Sequence, residues 1–230
     1  MGVLRVVCFD LDGTLFDHRG SAQAAASHFF EDLGVAVTAS ALESWFAAED
    51  EHFERWRSGQ ISFQEQRRER LRTVLPPLGY RLPSDLEGLD ALFDRYLSLY
   101  RAAWRAFPGS MSLLHELRGR GYRLGLLTNG AEAQQLDKLA RIGLDDVFDV
   151  VCVSERIGVH KPDERAFLTL AHELGVDASE CLFVGDDQAH DVAGAQSAGM
   201  RGLLIDNYAE GAADIETAVL AFVSESRDAR

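Results

Sequence analysis

The sequence predicts a three-layer α/β fold: a mostly parallel sheet between helices, with an α-helical subdomain inserted into it. Three observations predict it. Short apolar runs recur without polar alternation, as strands buried on both faces do. Longer segments of helical periodicity separate these runs, and glycines stand just past the helix ends. One interval of roughly a hundred residues has no such run and reads as helical throughout.

The strand candidates, in order, are Val3 to Phe9, Leu124 to Leu127, Phe148 to Val153, Cys181 to Val184 and Leu203 to Ile205. Helices are expected over Ser110 to Arg120, Ala131 to Ile142, Glu164 to Leu174 and Val192 to Ala198. Gly121, Gly143, Gly175 and Gly199 are placed to end them in the left-handed region that glycine enters without strain. This alternation gives right-handed crossovers and hence a Rossmann-like core. His18 to Ala106 carries helices instead, at Ala22 to Leu33, Ala41 to Arg57, Phe63 to Leu75 and Leu86 to Arg105. Gly34, Gly59, the Pro76-Pro77 pair and Pro83 separate them. The expected division is 1–17 with 107–230 as the sheet core and 18–106 as the insertion. Hinges would lie near Asp17 to Gly20 and Phe107 to Gly109, and Ser224 to Arg230 is expected to fray.

Composition narrows the function. The chain carries 23 Lys and Arg against 37 Asp and Glu, a net charge of −14, which argues against a binder of nucleic-acid polymers. The excess is uneven: residues 18–106 are net −2 and the remainder net −12. With 47% hydrophobic and 26% charged residues the chain has the balance of a folded soluble domain. No apolar run is long enough to cross a membrane, and Met1 to Asp12 has neither the basic flank nor the cleavage site of a signal peptide. Cys8, Cys152 and Cys181 lack CxxC spacing and sit in apolar runs, so they read as buried reduced thiols of a cytoplasmic protein.

Three strand candidates end in polar groups. FDLDGT puts Asp10 and Asp12 after the first, LLTNG puts Thr128 and Asn129 after the second, and FVGDD puts Asp186 and Asp187 after the fourth, with Asp191 a helical turn on. Open α/β sheets bind ligands outside these carboxyl ends. Of the two lysines, only Lys161, in GVHKPDE, is expected near them. Crowded carboxylates repel and call for a hard cation such as Mg²⁺. With that ion the sign of the pocket reverses, and carboxylate, metal, lysine and hydroxyl together suit phosphoryl transfer.

These residues resemble the haloacid dehalogenase (HAD) superfamily, and within it the phosphatases with a helical cap between their first and second motifs. FDLDGTLFD at Phe9 to Asp17, LLTNG at Leu126 to Gly130, Lys161 with Pro162, and VGDDQAHDVAGAQSAGM at Val184 to Met200 match its four motifs in order. The resemblance implies that Asp10 is the nucleophile, forming an aspartyl-phosphate, and also a Mg²⁺ ligand. Asp12 would protonate the leaving alcohol, activate water, and ligate the metal through its backbone carbonyl. Neighbouring carboxylates are expected to disfavour its ionisation. Thr128 and the Asn129 amide would hold the phosphoryl group, Lys161 would neutralise it, and Asp186 would bind the metal directly. Asp191 would act through water or by orienting Lys161, whereas Asp187 is either a further metal-site residue or a helix N-cap.

Superfamily dehalogenases lack an aspartate at the Asp12 position, since a departing halide needs no proton, so Asp12 favours phosphate esters. Thr14, where sugar-phosphate mutases often carry valine or isoleucine, leans toward hydrolysis; by itself its hydroxyl reads as a tie across the turn. The implied activity is Mg²⁺-dependent hydrolysis of a small phosphorylated metabolite, with a cap that opens and closes. A mutase or phosphotransferase and a non-catalytic metal-binding module are the alternatives. The substrate and the oligomeric state stay open. In the insertion, Trp45, Phe46, Phe53 and Trp56 with Arg55, Arg57, Arg67, Arg68, Arg70 and Arg72 allow two readings: a base-stacking, anion-meeting surface, or a core stripe beside a solvated arginine face paired with Glu65 and Glu69. The second is preferred.

Overall fold

The computed structural model describes residues 3–211 and 213–228. The chain divides into two compact units, residues 1–18 with 104–230, and 19–103. The sheet unit takes in Trp104, whose ring packs edge-on against Phe16 at 6.1 Å.

The sheet unit contains β1 (Val6–Phe9), α5 (Ser110–Gly119), β2 (Arg123–Thr128), α6 (Glu132–Arg141), β3 (Val150–Val153), α7 (Ser154–Ile157), α8 (Glu164–Glu173), β4 (Cys181–Gly185), α9 (Gly194–Ser197), β5 (Arg201–Leu204) and α10 (Ile215–Asp228). All four strand pairings are parallel, in the order β3-β2-β1-β4-β5. The chain winds to one side of β1 and then to the other, so the order reverses beside β1 and opens a crevice at the carboxyl ends. Successive residues face opposite layers. Val6, Cys8, Leu127, Cys181 and Phe183 join Phe167 and Leu170 of α8, and Leu174 just after it, in one apolar cluster. The three cysteines are free and buried. Gly121, Gly143, Gly175 and Gly199 all take positive φ, as expected of helix-ending glycines.

Three local differences from the sequence reading have physical causes. β1 starts at Val6 rather than Val3, where its register with β2 and β4 begins. A π-helical turn, Gln188–Ala193, precedes α9, so the helix expected from Val192 begins earlier and in a wider coil. The tail expected to fray is helical to Asp228: Ile215, Val219 and Val223 form a buried stripe, and the Ser112 hydroxyl donates to Glu216 at 2.6 Å. Residues 229–230 of that tail lie outside the described residues.

The inserted unit consists of α1 (His18–Asp32, from its second residue), α2 (Ala39–Arg57), α3 (Phe63–Val74) and α4 (Leu86–Ala102). Thr38, Ser62 and Asp85 cap the last three through side-chain acceptors. Trp45 is fully buried among Phe29, Phe30, Phe93 and Tyr96, so the aromatic stripe is core at this position. Arg68 and Arg72 pair with Glu65, and Arg72 also with Glu69. Arg70 departs from the expected solvated face: it is buried over the Trp45 ring and paired with Glu49 at 3.0 Å. Among the described residues no helix is long and apolar enough to cross a membrane.

Candidate active site

β1 ends at Phe9, and the Asp10 backbone N–H extends the ladder by donating to the Val184 carbonyl at 2.9 Å. This sets the Asp10 side chain, 7% exposed, at the carboxyl edge where the strand order reverses. Two glycines make room for two more carboxylates. A Cβ on Gly13, whose φ is +87°, would lie 2.0 Å from Asp186 Oδ2, and one on Gly185 would lie 2.3 Å from Asp191 Oδ2. One carboxylate oxygen each of Asp10, Asp186 and Asp191 falls within 4.8 Å of the others. An all-oxygen, multiply anionic donor set of this kind fits a hard divalent cation such as Mg²⁺.

Lys161 enters the cluster from the loop after α7. Its ammonium donates to Asp10 Oδ1 and, at 2.6 Å, to Asp191 Oδ1. Asn129 fixes that loop: its side-chain amide donates to the Lys161 carbonyl at 3.0 Å and accepts from the Lys161 N–H at 2.9 Å. The Asn129 carboxamide is thus engaged with the Lys161 backbone. Thr14 reaches across to Asp186 Oδ1 at 3.4 Å, where a tie within its own turn was expected. Asp187 takes the N-cap role: Oδ1 accepts from the Ala189 and His190 N–H groups, both at 2.8 Å, and Oδ2 meets His190 Nδ1 at 2.8 Å.

The largest correction concerns Asp12. Sequence reasoning placed only Lys161 near the strand ends, yet Lys138 on α6 contacts both Asp12 oxygens, at 2.6 and 2.8 Å. Gln135, one turn earlier, donates to Asp12 Oδ2 at 2.9 Å and to Thr128 Oγ1 at 2.7 Å. Both of the chain's lysines therefore serve this end of the sheet. The signal available was that the two residues stand three apart in an otherwise amphipathic helix, on the face that turns inward.

The electrostatics differ along the crevice. Burial pushes Asp10 well above the usual carboxylate range; Lys161 pulls against this, while Asp191, Asp186 and Asp12 add to it. Asp186 rises to about 6, through burial and then the charge of Asp191. Burial alone would lower Lys161, but Asp10 and Asp191 beside it win, and the ammonium is held charged. Asp12 moves the other way. Burial raises it, but Lys138, His18 and the Gln135 hydrogen bond outweigh burial and hold it below the usual range. Where neighbouring carboxylates were expected to disfavour its ionisation, the groups in contact with Asp12 are the Lys138 ammonium and the Gln135 amide.

Comparisons with known proteins agree with this architecture. A family model for haloacid dehalogenase-like hydrolases matches residues 4–199. The chain is 31% identical over 209 residues to a glyceraldehyde 3-phosphate phosphatase of Methanothermobacter thermautotrophicus, covering 89% of this chain and 87% of the relative. It is 32% identical over 203 residues to a ribulose-1,5-bisphosphate 5-phosphatase of Halopiger xanaduensis, covering 87% and 84%. Its fold is shared with the HAD-hydrolase YfnB of Bacillus subtilis, a structure bound to magnesium, at a TM-score of 0.77, 23% identity and 89% coverage of both chains. A model that spans most of the chain and relatives aligned over most of their length place this protein in the haloacid dehalogenase-like hydrolase family.

Proposed function

We propose that the protein is a Mg²⁺-dependent phosphatase that hydrolyses a small phosphorylated metabolite through an aspartyl-phosphate on Asp10. The observation that carries the reading is the separation of two neighbouring carboxylates. Asp10 lies in the acidic cluster beside Lys161, and Asp12, two residues on, is held apart from it by Lys138. One carboxylate fixed inside the cluster and one fixed outside it can take different tasks.

The chain's own groups account for both half-reactions. An Asp10 oxygen attacks phosphorus; the bond to the leaving oxygen breaks, and that oxygen takes a proton from Asp12. Lys161, fixed by Asn129, neutralises charge on Asp10 and the phosphoryl oxygens. The Thr128 hydroxyl accepts from Gln135, which leaves its own proton to donate to a phosphoryl oxygen beside the backbone N–H of Asn129. Water then attacks phosphorus, Asp12 takes its proton, and the electron pair returns to Asp10. Asp10, Asp186 and the Asp12 carbonyl would hold Mg²⁺, with Asp191 beside them orienting Lys161. When bound, the ion supplies the positive charge that three crowded carboxylates lack and that a phosphate dianion needs.

The names of the relatives point to compact sugar and triose phosphates as the substrate class. A panel of such esters with nucleotides and p-nitrophenyl phosphate, assayed for inorganic phosphate with Mg²⁺ and after exhaustive chelation, tests the reading. Release of phosphate that stops on chelation and returns with Mg²⁺ is expected. Turnover that survives chelation removes the metal, and an isomerised ester without free phosphate replaces hydrolysis by a mutase.

A further inference from the structure

We infer that Lys138 and Gln135 form a positioning clamp on Asp12, coupling it to Thr128, and that the clamp determines how well the enzyme acts on esters whose leaving group needs a proton. The inference rests on the phosphatase reading of Asp10 and Asp12.

Both residues come from one face of α6 and are nearly inaccessible, at 2% of Gln135 and 3% of the Lys138 side chain. Burying an ammonium is costly unless specific partners meet it, and Asp12 meets that of Lys138 with both oxygens. Lys138 touches both oxygens of Asp12, with its Nζ 4.9 Å from the Phe16 ring centroid. A cation between a carboxylate and an aromatic face leaves the carboxylate little freedom to rotate. Asp12 itself keeps 29% of its side chain exposed, so it is pinned from one side and open on the other.

Gln135 makes the clamp cooperative. Its amide nitrogen faces Asp12 Oδ2, Thr128 Oγ1 and, at 3.1 Å, the Asn129 carbonyl. A carboxylate and a carbonyl can only accept, so the amide must present its NH₂ to them. Thr128 is then an acceptor toward Gln135 as well. Gly130 permits this approach: at φ +147° it lacks the Cβ that would sit 3.2 Å from the Gln135 nitrogen. The group that moves the proton and the hydroxyl assigned to the phosphoryl group thereby share one fixed point.

The clamp holds the group that moves the proton and does not contact the Asp10 nucleophile, so its removal should change proton transfer without abolishing attack on phosphorus. The test compares wild type, Lys138→Met, Gln135→Met and the exposed control Leu136→Ala on glyceraldehyde 3-phosphate and p-nitrophenyl phosphate, with Mg²⁺. On the alkyl ester, Lys138→Met should lower kcat about tenfold to a hundredfold with KM within about threefold. In a single turnover of p-nitrophenyl phosphate, whose leaving group departs without a proton, nitrophenolate release should stay within about threefold of wild type. Gln135→Met should show the same split, smaller, which covers the case in which the lysine variant does not fold. Equal loss on both esters, or none on either, in a folded variant overturns the clamp. An inactive wild type would instead overturn the phosphatase reading, so the two failures are distinct.

Discussion

The two units bury charge in opposite ways. In the inserted unit a buried cation meets its own anion: Arg70 lies against Glu49, under the aromatic rings of Trp45, Phe93 and Tyr96. In the sheet unit, Asp10, Asp186 and Asp191 gather around the single ammonium of Lys161. Breaking a buried pair leaves its other charge stranded, which is costly. A surplus of like charge is unfavourable for the folded state and persists where an external cation and a reaction make use of it.

The largest consequence is at Asp10. Asp10→Asn should lower turnover at least about 10⁴-fold, as loss of a nucleophile does. Its thermal midpoint should equal or exceed that of wild type without Mg²⁺, because one member of a repelling set is gone. A folded variant with wild-type turnover removes Asp10 from the nucleophile role, and a clear fall in the midpoint removes the surplus-charge argument.

The inserted unit should respond in the opposite sense. Arg70→Met takes the cation from beside Glu49 and should destabilise the protein by about 3 kcal/mol in chemical denaturation. The double variant Glu49→Gln with Arg70→Met should lose less than Arg70→Met alone, since the buried charge left behind is what costs. If the double variant loses as much, packing of Arg70 over the aromatic rings, and not pairing, carries the effect.

What sequence reasoning could see follows the same division. The strands, their order of appearance, the helix-ending glycines and the carboxylates at the strand ends are local features, written in short windows around Phe9, Thr128 and Gly185. Lys138 and Gln135 escaped because their meaning is non-local: α6 looks like an ordinary amphipathic helix until the parallel register sets it beside the Asp12 turn. Arg70 escaped for the same reason, since a solvated arginine and one under Trp45 share a sequence pattern. The helix at Ile215 was legible in its i, i+4, i+8 spacing but was masked by the polar residues around it.

A third consequence concerns the surplus charge directly. With Asp186 at about 6, a proton competes with the metal below that value. Mg²⁺ affinity, measured by calorimetry, should fall by at least about tenfold per pH unit below about 6, since Asp10 is raised as well. The sign follows from the direction of the shift: a carboxylate raised in the folded protein takes up its proton first, and that proton must leave for the ion to bind. Affinity that is constant between pH 5 and 7 would mean that Asp186 stays ionised and that its neighbours do not crowd it.

The smallest effect lies at Asp187, which stands next to the acidic cluster yet behaves like the helix caps of the inserted unit. Its oxygens accept from Ala189, His190 and the His190 ring, as Asp85 accepts from Gly88 at the start of α4. The Asp187 carboxyl is held below its usual range despite burial, through the backbone and side chain of His190 and the Ala189 N–H, in contrast to Asp186 beside it. Asp187→Ala and Asp85→Ala should therefore each lose about 1 kcal/mol of stability, the ordinary loss on removing an N-cap. Mg²⁺ affinity should stay within about threefold of wild type in both. A selective loss of Mg²⁺ affinity in Asp187→Ala would move this residue from the helix start into the metal site.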